Sequence, residues 1–259
     1  MIRALYTSIS GMITQEAKQD VITNNLANAN TTGFKSDNLT IKKFDDVLIQ
    51  NYDKKVGNNN VQNIIGSLSN GSRIDEVYTN YTQGSMETTD SPTDFALEGS
   101  GFFAVQRDNG IGNSTFYTRN GQFHVNMKGI LVNDSGDSVL ARDTNNNITT
   151  INAGSSKITS DSLGNISLDG VQKYKLEVVD FADYNKLKKS GDNLYMGTNP
   201  IQNTNASIKQ NSLERSNVNI TNEIVNMMTT MRSFETNQKI VKSIDETLNK
   251  AVNEVGTVR

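Results

Sequence analysis

The chain has 259 residues, 35% of them hydrophobic, a formal net charge of −3, one His, two Pro, and neither Cys nor Trp. That length allows one large domain or two to three small ones, and so polar a chain points to an elongated molecule or several small cores. Zero Cys and one His exclude Cys/His nucleophilic dyads, zinc fingers, multi-His metal sites and disulfide scaffolds. The mild negative charge gives no footprint for nucleic acid. No apolar run approaches 18 residues, so no membrane insertion is expected.

Residues 1–30 read as a helix. Ile2, Leu5, Ile9, Met12, Ile13, Ala17, Val21, Ile22 and Leu26 recur mostly at steps of three or four, which marks one helix face. The opening Met1–Ser8 lacks a continuous apolar stretch and a small-residue cleavage pattern, so no targeting peptide is expected there. Asn28-Ala29-Asn30-Thr31-Thr32-Gly33 is the stop signal, with residue types suited to left-handed caps.

Residues 34–215 carry recurrent turn pairs: Asn70-Gly71, Asn109-Gly110, Asn120-Gly121, Lys128-Gly129, Ser135-Gly136 and Asp169-Gly170. Between them lie short runs such as Phe102–Val105 and the alternating Tyr174–Val178. Short strands with frequent turns predict an antiparallel β region and not βαβ units. Residues 53–72, rich in Asn, Gly and Ser, read as a loop or mobile hairpin.

Residues 219–256 return to helix. Ile224, Met227, Met231, Phe234, Gln238, Val241, Asp245, Leu248, Val252 and Val255 alternate spacings of three and four, a heptad seam in which Gln238 and Asp245 would fix register. At ~1.5 Å per residue this helix would run roughly 54 Å. A β domain of this size is only ~35–40 Å across. The stripe must then be covered by the N-terminal helix, by other chains, or by both. The expected fold class is α+β. Long terminal helices (1–34 and 216–259) pair as a coiled-coil-like domain. A linker with a small β segment follows (35–94), then an antiparallel β-rich outer domain (95–215).

Motifs that usually carry chemistry fail on context. Gly99-Ser100-Gly101-Phe102-Phe103-Ala104 fits a dinucleotide fingerprint, but Phe102 onward reads as a strand and no strand-to-helix unit surrounds it. Asp143–Asn147 opens like a calcium loop, yet Ile148 stands where Gly is needed and Gly154 where a bidentate Glu is needed. His124 lies in an alternating strand, opposite in facing to Phe123 and Val125. Carboxylate pairs Asp180/Asp183 and Asp90/Asp94 lack any Trp platform for a sugar. No cofactor, no metal and no enzymatic activity are expected. The least ordinary stretch is Asn24–Lys35. Asn competes for backbone hydrogen bonds, so these side chains are expected to bond neighbouring backbone at a crowded interface.

It is at this stretch that the chain resembles the flagellar rod and hook axial proteins, most closely basal-body rod proteins. The N-terminal resemblance runs through Met1-Ile2-Arg3, Leu5-Tyr6-Thr7, Ser10-Gly11-Met12, Asp20-Val21-Ile22 and Asn24–Lys35, which includes Asn24, Asn25, Leu26, Asn28, Gly33 and Phe34. In the centre, Leu97–Phe103 is similar to the family signature through Gly99, Gly101, Phe102 and Phe103, as are Phe116–Phe123 and Gly129–Val132. Leu213–Asn219 then leads into Val225–Phe234 and Asp245. The Asn-rich stretch 50–75 departs from the family pattern.

The resemblance implies a structural axial subunit, exported unfolded by the flagellar export apparatus without a cleaved leader. It implies open helical self-polymerisation that transmits torque from motor to hook, contacts with other rod and hook proteins, and residence in the basal body. It also implies terminal segments that order on assembly, as an inner helical tube beneath an outer β layer. Met1-Ile2-Arg3 favours the distal-rod type, with a proximal-rod or hook-type subunit as the alternative. A secreted adhesin or cell-wall-binding module, and an enzyme acting on peptidoglycan, are the competing classes. The subunit interface is expected at Leu5, Ile9, Met12, Ile13, Val21, Leu26, Ile224, Met227, Met231, Phe234, Val241, Leu248 and Val252.

Overall fold

The computed structural model describes residues 2–56, 59–108, 112–202 and 206–255. Met1 and the Asn109-Gly110 pair lie outside them, as does the side chain of Val255. The chain divides into two compact units. One comprises Met1–Leu26, Asp37–Tyr78 and Ile220–Arg259; the other comprises Ala27–Ser36 and Thr79–Asn219.

Among the described residues the first unit holds two α-helices, α1 (Ile2–Ala27) and α2 (Ile220–Lys250), the second continued by a π-helical turn at Ala251–Val255, and four strands. Strands β1 (Asp37–Lys43) and β4 (Ser72–Thr79) pair with each other, and β2 (Val47–Val56) pairs with β3 (Asn59–Leu68). The β2/β3 ladder is antiparallel, from Val47 opposite Leu68 to Val56 opposite Asn59, with two register shifts. Much of the Asn-rich stretch read as a loop or mobile hairpin is thus a two-stranded ribbon. Its side chains Val47, Leu48, Ile64 and Ile65 are exposed. The start of β4 is fastened to α1 by Ser72 N, which donates to Ser10 Oγ at 3.3 Å, and by a 3.2 Å hydroxyl contact between Thr14 and Ser72.

The expected fold class is corrected here. The chain is mostly β strand, with one helix at each end, and the helices do not form a long coiled-coil pair. They approach at Gly11, where an added Cβ would lie 2.9 Å from Asn237 Nδ2. Elsewhere they leave a groove of about 560 Å³ whose lining includes Leu5, Gln238, Val241, Asp245 and Leu248. The physical reason lies in which side chains face inward. The line of α2 that is at least half-buried runs Glu223, Met227, Thr230, Phe234, Asn237, Val241, Ile244 and Leu248. It shares Met227, Phe234, Val241 and Leu248 with the expected seam. Glu223, Thr230, Asn237 and Ile244 replace Ile224, Met231, Gln238 and Asp245, so the first three alternate layers are polar and the fourth is apolar. On α1 the buried residues are Ser8, Thr14, Ile22 and Asn25. Knobs-into-holes packing needs apolar a and d layers, and these helices do not supply them.

The second unit is an antiparallel β structure. Its largest sheet follows the spatial order Ile158–Ser160, Asn165–Leu168, Val171–Leu176, Ser138–Asp143, Phe102–Asp108, Asn113–Thr118, Leu194–Met196 and Lys188–Lys189. Side chains alternate across a strand, and Phe102–Asp108 feeds two cores. Phe103 and Val105 join Phe95, Phe123, Leu131 and Ile166 on one side. Phe102 and Ala104 join Tyr117, Phe181 and Tyr195 on the other. Phe103 meets Phe123 edge-on at 5.5 Å, and Phe102 meets Phe181 at 5.9 Å. The segment that mimics a dinucleotide fingerprint is a turn at Gly99 and Gly101, with φ of 105° and 126°, entering this core strand.

The other motifs resolve similarly. Asp143–Asn147 is a turn closed by Asp143 N donating to Asn147 O at 3.0 Å. Asp169 and Gly170 both have positive φ, as a tight hairpin turn requires. His124 is exposed beside buried Phe123, and its Nδ1 lies 3.8 Å from Asp134.

Candidate functional site

Two sets of residues carry the weight of the sequence reading: the terminal apolar positions in the first unit and the motif residues, most of which lie in the second.

In the first unit none of the expected interface side chains is fully buried. Leu5, Ile9, Met12, Val21, Leu26, Met227, Phe234, Val241 and Leu248 are half-buried. Ile13, Ile224, Met231 and Val252 are exposed. The structure brings Leu5, Val241 and Leu248 together at the interhelical groove. It also shows a stripe that sequence reasoning missed in part. Ile220, Ile224, Met228 and Met231 are each at least 40% exposed. Their steps of four, four and three residues place them along one helix face. The missed signal was the phase, since the stripe lies beside the half-buried line and not on it. Exposed apolar surface of this kind is a candidate for association. Each side chain contributes roughly 1.5–3 kcal/mol once fully buried.

The motif residues divide between the units. In the first, Asn25 is buried and bonds backbone in both directions. Its Nδ2 donates to Asp37 O at 2.8 Å, and Asp37 N donates to its Oδ1 at 2.9 Å. Asn25 thus bonds backbone within its own chain. Glu223 lies nearby. Burial pushes its carboxyl up, against the hydrogen bond from Asn25 and the charge of Lys18. Asn24 is exposed and Leu26 half-buried.

In the second unit Asn28 accepts from Thr31 Oγ1 at 3.2 Å. Gly33 has φ of +66°, and a Cβ there would lie 2.4 Å from the Arg119 carbonyl carbon. Gly33→Ala is therefore expected to destabilise this unit by about 2–3 kcal/mol, through left-handed strain and backbone collision. Urea unfolding followed by Tyr fluorescence checks it. Phe34 is buried, with Lys189 Nζ 4.7 Å from its ring centroid. Phe102 and Phe103 occupy opposite cores, as described above.

Next to these motifs lies a buried charge cluster. Lys35, Glu214 and Arg119 are 0%, 1% and 4% exposed. Lys35 Nζ donates to Glu214 Oε1 at 2.6 Å and to Thr82 O at 2.8 Å. Arg119 donates to Glu214 Oε2 at 3.2 Å and to Gly99 O at 2.8 Å, and it lies 5.4 Å from the Phe102 ring centroid. Gly84 N donates to Glu214 Oε1 at 2.9 Å. Four resembling segments, Asn24–Lys35, Leu97–Phe103, Phe116–Phe123 and Leu213–Asn219, thus meet at one carboxylate and its cations. Burial lowers the Lys35 pKa, which the Glu214 carboxylate partly offsets. Nearby, burial raises the Asp180 carboxyl, but hydrogen bonds from Tyr184, Phe181 N and Ser100 outweigh it and hold the group below the usual range. Sequence reasoning singled out these stretches without finding the cluster, because its members are far apart in the chain.

The cluster has no attacking group poised beside a base. Apart from Arg119 Nε, which is buried without a hydrogen-bond partner among the described residues, its donors and acceptors are engaged with each other and with backbone, which is the chemistry of a fastening. Among the described residues there is no group of three or more His, Cys, Asp or Glu side chains arranged to hold a metal ion. No helix among them is long and apolar enough to cross a membrane.

Comparison with known proteins finds family models at both ends and in the middle of the chain. Residues 5–35 match a family model described as flagella basal body rod protein. Residues 96–168 match the flagellar hook protein FlgE/F/G D1 domain, and residues 209–254 the flagellar basal body rod FlgEFG protein C-terminal. The chain is 30% identical to the flagellar hook-basal body complex protein FlhO of Bacillus subtilis, over 100% of both chains. It is 33% identical to the flagellar basal-body rod protein FlgG of Buchnera aphidicola, over 96% of this chain and 98% of that one. It is 33% identical to the flagellar basal-body rod protein FlgF of Caulobacter vibrioides, over 100% of both. With its α1 end, its β core strand and its α2 approach each matched in order, the chain belongs to the flagellar basal-body rod protein family.

Proposed function

We propose that this chain is a structural axial subunit of the bacterial flagellar basal-body rod. It performs no catalysis. It associates with further copies of itself through the terminal segments, in an open helical polymer that carries torque from motor to hook. Association of one patch with a different patch on the next copy does not close, so it extends along an axis. The observation that carries the reading is the exposed stripe Ile220, Ile224, Met228 and Met231 on a helix whose polar layers keep it from sealing against α1. Other rod and hook proteins at the two ends of the polymer, and the flagellar export apparatus, are its further partners. Its place along the rod is distal, as the Met1-Ile2-Arg3 opening favours.

The test is genetic and visual. A strain lacking the gene is expected to be non-motile and to lack a complete rod. Purified basal bodies from a strain carrying a tagged subunit are expected to show the tag on the rod. Intact rods without the subunit would overturn the proposal. A tag near the membrane-facing end of the rod would overturn the distal assignment alone.

A further inference from the structure

We infer that Glu214 is the keystone of a one-way latch in the second unit: the arm 31–36 seats only after the arm 213–217 has brought Glu214 into place. The argument is one of charge compensation and holds whether or not the chain polymerises. Lys35 and Arg119 are both buried cations, and each acts to disfavour the other's charge. Glu214 lies between them and accepts from both, at 2.6 Å and 3.2 Å. Remove the arm that carries Glu214, and Lys35 would enter a closed site beside a like charge. An unpaired buried charge is far more costly than an unmade surface contact.

The reverse dependence is weak. Without Lys35, Glu214 keeps Arg119 and the Gly84 amide. Arg119 in turn has the Asp180 carboxylate close enough to feel its charge. The arms are also stitched by backbone, with Gly33 N donating to Glu214 O at 2.7 Å and Ser36 N donating to Asn217 Oδ1 at 2.8 Å. Asn217 Nδ2 donates to Asn80 O at 2.8 Å, which fixes the C-terminal arm to a third segment independent of the first. The N-terminal arm also has anchors of its own, with Thr32 Oγ1 donating to Asn120 Oδ1 at 2.7 Å, Asn193 Nδ2 to Thr32 O at 2.8 Å and Lys189 Nζ to Lys35 O at 2.8 Å. The asymmetry is therefore one of charge: among the described residues Lys35 is ion-paired with Glu214, whereas Glu214 is also held by Arg119 and the Gly84 amide.

Hydrogen exchange read by mass spectrometry on the full-length chain tests this. In the unmodified chain the amides of both arms are expected to be protected. Lys35→Met is expected to speed exchange at least 100-fold in 31–36 and less than fivefold in 213–217. Glu214→Gln is expected to speed exchange at least 100-fold in 31–36 and far less in 213–217, which keeps its Asn217 anchor, while Phe102–Asp108 stays protected. Lys35→Met combined with Glu214→Gln is expected to return protection to 31–36 relative to Glu214→Gln alone, since the cation conflict is gone. Four results would each overturn the inference. They are equal opening of both arms by Lys35→Met, a protected 31–36 in Glu214→Gln, no recovery in the double variant, and free exchange of both arms in the unmodified chain. Loss of protection in Phe102–Asp108 on Glu214→Gln would overturn it too, by showing a support of the core and not a latch.

Discussion

Met231→Asp is expected to abolish polymerisation of the purified chain while leaving the second unit folded. Met231 is 40% exposed in the single chain and shares a helix face with Ile220, Ile224 and Met228. An aspartate there is harmless to the isolated subunit, because the carboxylate stays in water. In a polymer the same position would be covered by a neighbouring copy. The contact then loses roughly 1.5–3 kcal/mol of apolar burial, and an unpaired carboxylate is desolvated at a cost of several kcal/mol more. Each 1.4 kcal/mol is tenfold in affinity, so the critical concentration should rise by about 1,000-fold or more, which is loss of assembly in practice. Sedimentation and negative-stain imaging check the polymer, and circular dichroism checks the fold. Leu5→Asp, at the interhelical groove, should act in the same direction. Normal rods in cells carrying either change would count against the subunit contact.

The second large effect is expected inside the β unit. Phe103→Ala should destabilise it by about 3–5 kcal/mol, the range for emptying a buried aromatic site. Phe103 is 0% exposed, touches Phe123 edge-on, and belongs to the larger core. Its strand is paired on both edges, by Asn113–Thr118 on one side and by Ser138–Asp143 and Val178–Asp180 on the other. The cavity cannot collapse by moving an edge. Urea unfolding of the full-length chain should show a lowered midpoint with the slope retained. Phe102→Ala, which empties the opposite core, should lose its edge-on contact with Phe181 and its cation contact with Arg119. A midpoint unmoved by either change would refute the two-core description.

The helices were legible in the chain because their signals are local. Apolar spacing and an Asn/Gly stop place α1 within a few residues of its observed end at Ala27, and the turn pairs announce a β region whose strands follow them. The core strand at Phe102–Val105 was legible for the same reason. What could not be read locally was which face of α2 points inward. Ile224 and Met231 are as apolar as Met227 and Phe234, yet the former pair is exposed and the latter half-buried. A one-residue change in phase turns a helix by about 100°. That phase is set by what the partner helix offers, here Gly11 against Asn237 and the buried Ser8, Thr14 and Asn25.

Composition and motif order were enough, by themselves, to determine the family and to leave no residue for a thiolate nucleophile or a Cys-ligated metal, since those depend on which residues exist. Only the tertiary structure decided that Lys35, Glu214 and Arg119 form one buried cluster. Lys35 and Glu214 are 179 positions apart, and Arg119 and Glu214 are 95 apart. No periodicity spans such distances. Their meeting follows from strand pairing that closes long loops, and loop closure leaves no mark on local residue spacing.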